Sequence, residues 1–115
     1  MSKYKVIFHI DEDDPFRVNL VLNNINNLIE DLGSEDVELE LVAYARGIKI
    51  FLIDSPYAKN MENLADAGVI FAGCSNTIKA MEIKQDELLN SVQIVSSGVG
   101  ELVKKQSKGW VYIRP

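Results

Sequence analysis

Cysteine and histidine are almost absent from this sequence of 115 residues, since each occurs once, as Cys74 and His9. A single cysteine cannot form a disulfide within the chain, and such sparing use of cysteine fits a reducing compartment. A mononuclear zinc site usually needs three or four nitrogen or sulfur ligands. We therefore expect no internal disulfide and no zinc site, and we predict neither a metal nor another cofactor.

Basic residues and long apolar runs are also scarce. The 12 Lys and Arg residues are outnumbered by 17 Asp and Glu residues, which gives a formal net charge of −5. Binding to a nucleic-acid backbone requires clustered Lys and Arg. No apolar run approaches the roughly 20 residues of a membrane span, and no signal peptide opens the sequence. We expect a cytoplasmic protein that binds neither nucleic acid nor membrane.

The residues that are present have the composition of a globular domain, with 47% hydrophobic and 25% charged residues. A chain of this length predicts one domain, residues 1–115. Short apolar runs alternate with stretches of helical periodicity. The predicted strands cover residues 6–10, 37–44, 69–72, 92–95 and 110–113. Helices are predicted from Pro15 to a C-cap at Gly33, from Ser55, from about Thr77 and, after a turn over 96–98, from Val99 to Gly109. Helical turns are predicted over 48–53 and from a capping Asp86 through Leu89.

Strands that alternate with helices indicate right-handed crossover connections. The sequence therefore predicts an α/β fold, a three-layer α/β/α sandwich with a five-stranded, mainly parallel sheet. The pattern leaves the order of the strands open. Asp14 and Pro15 form a typical helix start, and the acidic run 11–14 is better explained by this capping than by a bound cation.

In a parallel sheet the loops that leave the carboxyl ends of the strands share one edge, where ligands usually bind. This rule selects polar residues after four of the predicted strands. They are His9 after strand one, Arg46 after strand two, Cys74, Ser75 and Asn76 after strand three, and Ser96 after strand four. We predict that this group forms the functional site.

Cys74 is the most specific member of the group because it precedes a helix. The free N–H groups of a helix start favour a thiolate, which lowers the thiol pKa and raises its reactivity. A free cysteine is equally often a small buried hydrophobic residue. His9 can orient or deprotonate a partner, or it can be a hydrogen-bonded structural residue. Both pairs of alternatives stay open.

Six segments in this order carry a resemblance to a known family. They are KVIFHIDEDDP, the asparagine-rich first helix, LVAYARGI, DSPYAKN, AGVIFAGCSNT and SSGVGELVKKQSKGWVYIRP. Together they resemble the DsrE/DsrF-like proteins of sulfur metabolism over nearly the whole chain. The resemblance implies an α/β/α fold, assembly into trimers or hexamers, and, in the sulfur-relay members, a cysteine after the third strand that accepts persulfide sulfur. Cys74 matches that position.

The leading hypothesis is a homo-oligomeric sulfur carrier, a trimer or hexamer, that accepts sulfur on Cys74 from a donor protein and passes it to an acceptor protein. One alternative is a binding module without enzymatic activity in which His9, Arg46, Asn76 and Ser96 hold an anionic ligand. A second alternative is a structural homo-oligomer. The sequence does not decide whether the protein is an enzyme.

Overall fold

Five strands form a single sheet in the order β4-β3-β2-β1-β5, and each pair of neighbours is parallel. The structure is a computed structural model that describes residues 3–115. The strands are β1 (Tyr4–Ile10), β2 (Val37–Ala43), β3 (Ile70–Cys74), β4 (Val92–Val95) and β5 (Val111–Ile113). The helices are α1 (Pro15–Leu32), α2 (Ala58–Asp66), α3 (Ser75–Ala80) and α4 (Gly98–Ser107), with 3-10 helices at Ala45–Phe51 and Gln85–Glu87. The predicted fold class is confirmed.

The strand order places the helices in two layers. From β1 the chain moves outward through β2 and β3 to β4, and then returns past them to β5 on the other side of β1. Because crossovers between parallel strands are right-handed, a return in the opposite direction carries its helix to the opposite face. Helix α4 therefore lies on one face of the sheet, and α1, α2 and α3 lie on the other.

Each face has its own hydrophobic core. The larger core joins the sheet to α1, α2, α3 and the first 3-10 helix around Phe8, Phe51 and Phe71. The smaller core lies under α4 and contains Ile7, Val42, Ala72, Leu102 and Trp110. The helical turn predicted over residues 48–53 is confirmed for residues 48–51, the end of the first 3-10 helix, and Leu52 is already extended.

Several predicted helix starts are shifted by local hydrogen bonds. Helix α2 begins at Ala58 rather than at Ser55, because the Ser55 hydroxyl accepts the Tyr57 N–H at 3.0 Å and forms a turn there. Helix α3 begins at Ser75 rather than Thr77. Asp86 lies within the second 3-10 helix, where Glu87 accepts the Lys84 N–H instead. The predicted cap of α1 is confirmed, since Asp14 accepts the Arg17 N–H at 3.4 Å.

The alternation of Glu38 and Glu40 with apolar residues predicts that this end of β2 is partly exposed. Glu38 is half-buried, but Glu40 is only 1% exposed. The prediction was wrong for Glu40 because α4 crosses this face and places Lys105 within 3.2 Å of its carboxylate. A charged residue is therefore enclosed between the sheet and α4.

Candidate functional site

Four side chains form a row along the carboxyl edge of the sheet, on the neighbouring strands β3, β2, β1 and β5. They are Cys74, Tyr44, His9 and Tyr112. The His9 ring stacks on Tyr44 with a centroid distance of 4.6 Å, and His9 Nδ1 lies 2.9 Å from the Tyr112 hydroxyl. The predicted edge is thus an ordered arrangement of a thiol and aromatic rings.

Cys74 is the last residue of β3 and holds the N-cap position of α3, and its residue is 6% exposed. Burial alone would raise the pKa of the Cys74 thiol. The N–H groups of Thr77, Gly98 and Asn76 and the Thr77 hydroxyl hydrogen-bond to the sulfur and lower the pKa, so that the net shift is downward. Donors favour the charged form of an acceptor. The thiol is therefore more reactive than an ordinary buried cysteine.

Thr77 links the thiol to the start of the first 3-10 helix. Its hydroxyl accepts the Ala45 N–H at 3.0 Å and also lowers the pKa of the Cys74 thiol. Ala45 has a φ of 50°, in the left-handed region that a residue with a Cβ rarely adopts. Such a conformation costs on the order of 1–3 kcal/mol and persists where the surroundings fix it. The strain at Ala45 places its N–H on Thr77.

Gly98 brings the start of α4 to the same sulfur. A Cβ at this position would overlap the Tyr44 ring, so the helix can approach the sheet this closely only with glycine here. Ser97 precedes it and caps α4 by accepting the Gly100 N–H at 2.9 Å. Two helix starts, those of α3 and α4, therefore converge on Cys74.

His9 is buried and belongs to a different set of contacts. Its Nε2 lies 3.6 Å from the Asp11 carboxylate, which also accepts a hydrogen bond from Arg114 at 3.0 Å. Burial lowers the pKa of His9, with Asp11 opposing the shift and Arg114 adding to it. The imidazole is therefore neutral near pH 7 and holds Tyr44 and Tyr112 in place. A cavity of about 220 Å³ lies on this side, lined by His9, Asp11, Glu12, Arg17 and Arg114 among others.

The remaining predicted site residues surround the thiol in different ways. Ser75 is half-buried as the first residue of α3, and Asn76 is exposed but turns its N–H to the sulfur. Arg46 is exposed in the 3-10 helix directly after Ala45, and Ser96 is exposed between β4 and α4. Of this group, only Asn76 contributes to the contacts at the sulfur, through its backbone N–H, and the exposed side chains of Arg46 and Ser96 lie on the surface.

A comparison with known proteins identifies the family. The sequence profile of the DsrE/DsrF-like family matches residues 5–115. The chain belongs to the DsrE/DsrF-like family. This family is associated with sulfur relay. The resemblance found in the sequence is therefore confirmed. No match is found among curated proteins.

Solved structures of similar fold support the assignment. A protein of unknown function from Methanobacterium thermoautotrophicum is 48% identical, with a TM-score of 0.94 and coverage of 97% of this chain and 99% of that chain. The ychN protein from E. coli is 16% identical, with a TM-score of 0.77 and full coverage of both chains. A conserved protein of unknown function from Bacteroides thetaiotaomicron is 12% identical, with a TM-score of 0.73 and coverage of 96% and 94%. The last two show the fold alone.

Two residues of this DsrE/DsrF-like site were missed as functional residues by sequence reasoning. Thr77 supplies both an N–H and a hydroxyl, and Gly98 supplies an N–H. The signal for Thr77 was present, because a residue three positions after an N-cap turns its N–H toward the cap. Gly98 had no comparable signal, since its approach to Cys74 depends on the return crossover to β5.

Within residues 3–115, no group of three or more His, Cys, Asp or Glu side chains is arranged to hold a metal ion. None of the described helices is long and apolar enough to cross a membrane.

Proposed function

We propose that this protein is a sulfur carrier that accepts persulfide sulfur on Cys74. The observation that carries the proposal is the set of four hydrogen bonds that lower the pKa of the Cys74 thiol despite its burial. Membership in a family associated with sulfur relay supports it. A cysteine that was only a small core residue would have its pKa raised by burial without such compensation.

The transfer needs no oxidant or cofactor. The Cys74 thiolate attacks the terminal sulfur of a donor persulfide, a new S–S bond forms, and the donor's own S–S bond breaks. The donor cysteine leaves as a thiolate with the bonding electron pair, and Cys74 carries Cys–S–SH. In the second step an acceptor thiolate attacks the same terminal sulfur, and Cys74 returns to a thiolate. Each step is an exchange between sulfur nucleophiles.

The hydrogen-bond donors around Cys74 favour both the uptake and the release of sulfur. A leaving group of lower pKa departs faster, so the hydrogen bonds from Thr77 and Gly98 also speed release of sulfur from Cys74. The enclosed position limits access of solvent to the carried sulfur, because Cys74 is 6% exposed.

Partner proteins reach the thiol from the carboxyl edge of the sheet. Arg46 is exposed there, and within residues 3–115 its guanidinium forms no ion pair. A free cation beside the site suits a donor or acceptor with carboxylates on its docking surface, and charge complementarity of this kind mainly raises the association rate. We also propose that the protein works as a homo-oligomer.

The test is intact-mass spectrometry after incubation with a cysteine desulfurase and cysteine, without reductant. Wild type should gain one sulfur atom that a reductant removes, and Cys74→Ser should gain none. Alkylation of Cys74 in the untreated wild type controls for access to the thiol. An accessible thiol that gains no sulfur would contradict the proposal.

A further inference from the structure

Glu40 lies in the middle of β2 with its side chain against α4, at 1% exposure. Its Oε1 is 3.2 Å from Lys105 Nζ, and Lys105 is also 4.0 Å from Glu101 one helical turn earlier. The other carboxylate oxygen, Oε2, is buried and has no hydrogen-bond partner. Lys105 thus forms ion pairs with two carboxyl groups in an enclosed space.

Among residues 3–115, Lys105 is the one cation that forms an ion pair with Glu40. The residues that pair with Glu40 in the neighbouring strands are the apolar Ile7 and Ile70. Lys105 lies over the Trp110 ring, 4.5 Å from its centroid. Burial, and after it the proton that a neutral Glu40 can share with the Glu101 carboxylate, raise the pKa of Glu40 to about 7, although Lys105 acts in the opposite direction. Near neutral pH the cluster therefore exchanges a proton.

Helix α4 connects this cluster to the thiol. The helix begins at Gly98, whose N–H bonds to the Cys74 sulfur, and Glu101 and Lys105 lie one and two turns further along the same helix. At about 1.5 Å per residue, Lys105 is roughly 10 Å from Gly98 along the axis. The Gly98 N–H and the side chains that contact Glu40 therefore belong to one helix.

We infer that Glu40 is a positioning residue for the Cys74 site, because its contacts with Lys105 and Glu101 hold α4 on the sheet and so keep the Gly98 N–H on the sulfur. The inference rests on the proposed function only in that the thiol is taken to carry sulfur. It assigns to a residue remote from the sulfur a role in setting thiol reactivity.

The proton on Glu40 determines how well α4 is held. A neutral Glu40 donates its proton to the Glu101 carboxylate, and Lys105 balances the one remaining negative charge. An ionised Glu40 leaves two carboxylates for one lysine, and their repulsion weakens the packing of α4. The Gly98 hydrogen bond is then weaker and the thiol is less ionised. Such coupling is reciprocal, so a Cys74 thiolate also favours the proton on Glu40.

The experiment follows the Gly98 amide by NMR during a pH titration of the full chain in a Cys74→Ser background, where the thiol itself cannot titrate. The Gly98 signal should shift with a midpoint near pH 7, and adding Glu40→Gln should abolish this shift. Glu38→Gln, on the same strand and face, should leave it unchanged. A Gly98 signal that is constant through neutral pH, or that still shifts in the Glu40→Gln variant because His9 titrates, would overturn the inference.

Two further variants give independent readouts. Lys105→Met should move the Gly98 midpoint to higher pH, since the lysine favours ionised Glu40, and an unchanged midpoint would contradict the coupling. With Cys74 present, Glu40→Gln should increase the rate of thiol alkylation at pH 8 by about twofold to tenfold. An unchanged alkylation rate would also contradict the coupling. None of these measurements uses persulfide, so a failed sulfur transfer and a failed coupling are distinguishable.

Discussion

At the scale of single residues, Cys74 is activated by neutral hydrogen-bond donors. The groups that lower the pKa of its thiol are three N–H groups and one hydroxyl, and neither Arg46 nor His9 is among them. Neutral donors favour the thiolate without adding a charge of their own to the enclosed site. This arrangement explains how a buried cysteine remains reactive without a paired base.

Thr77→Val tests the hydroxyl within this set. The substitution keeps the side-chain shape but removes the hydroxyl that lowers the pKa of the Cys74 thiol. A hydrogen bond to a charged group contributes about 1.5–3 kcal/mol, which corresponds to an increase of roughly one to two units in the Cys74 pKa. The measurement is the pH dependence of the alkylation rate. Thr77→Ser retains the hydroxyl and should keep the wild-type profile, and a wild-type profile for Thr77→Val would show that the hydroxyl does not stabilise the thiolate.

At the scale of secondary structure, α4 differs from the other described helices because it alone lies in the connection that returns from β4 to β5 on the other side of β1. Its first residue, Gly98, contacts the site, and its later turns enclose Glu40. The helix is held by a small apolar core that includes Leu102 and Trp110. Because this core is small, the charge of Glu40 has a large influence on the stability of α4.

The stability of the fold should depend on this carboxyl group. The pKa of Glu40 rises from 4.5 to about 7 on folding, so between these values the folded state holds a proton that the unfolded state has lost. The stabilisation is full below about pH 4.5, falls as pH rises, and is lost above about pH 7, a change of about 3 kcal/mol. Urea unfolding at several pH values should show this fall in wild type and not in Glu40→Gln. Glu38→Gln should keep the wild-type slope, and equal slopes for wild type and Glu40→Gln would contradict the prediction.

At the scale of the whole molecule, the surface near the site carries apolar side chains without a partner in the single chain. Val99 and Val103, one turn apart on α4, are each 59% exposed. Exposed valines at this spacing form a stripe that we expect a second copy of the chain to cover, in an assembly with closed symmetry.

A charge on this stripe should weaken assembly. Wild type should elute and scatter light as a trimer or hexamer at micromolar concentration, and Val103→Lys should shift it toward smaller species. The matched control is Asn19→Lys, which adds the same charge on exposed α1, across the sheet from α4. A wild-type monomer would contradict the proposal, and full assembly of Val103→Lys would exclude this stripe from the interface.

Much of the fold was predictable from local patterns. The strands and helices were predicted correctly because the spacing of apolar residues is visible within short stretches of sequence. The Asp14 cap was predicted because a cap contacts an N–H only three residues further on. The start of α2 at Ala58 was missed because a turn hydrogen bond at Ser55 competed with the expected cap. Helix α3 begins at Ser75, two residues before the predicted start. The buried state of Glu40 was missed because alternation in a strand indicates two faces without showing what covers them.

The sequence by itself determined the α/β class, the parallel sheet, the family and the place of Cys74 at the end of a strand, since each depends on residue order and local spacing. Only the tertiary structure decided that the Gly98 N–H reaches the same sulfur as the Thr77 donors, that Tyr112 pairs with His9, and that Lys105 faces Glu40. The physical reason is that these contacts join parts of the chain that are far apart in sequence, and the strand order that brings them together is not encoded in local periodicity.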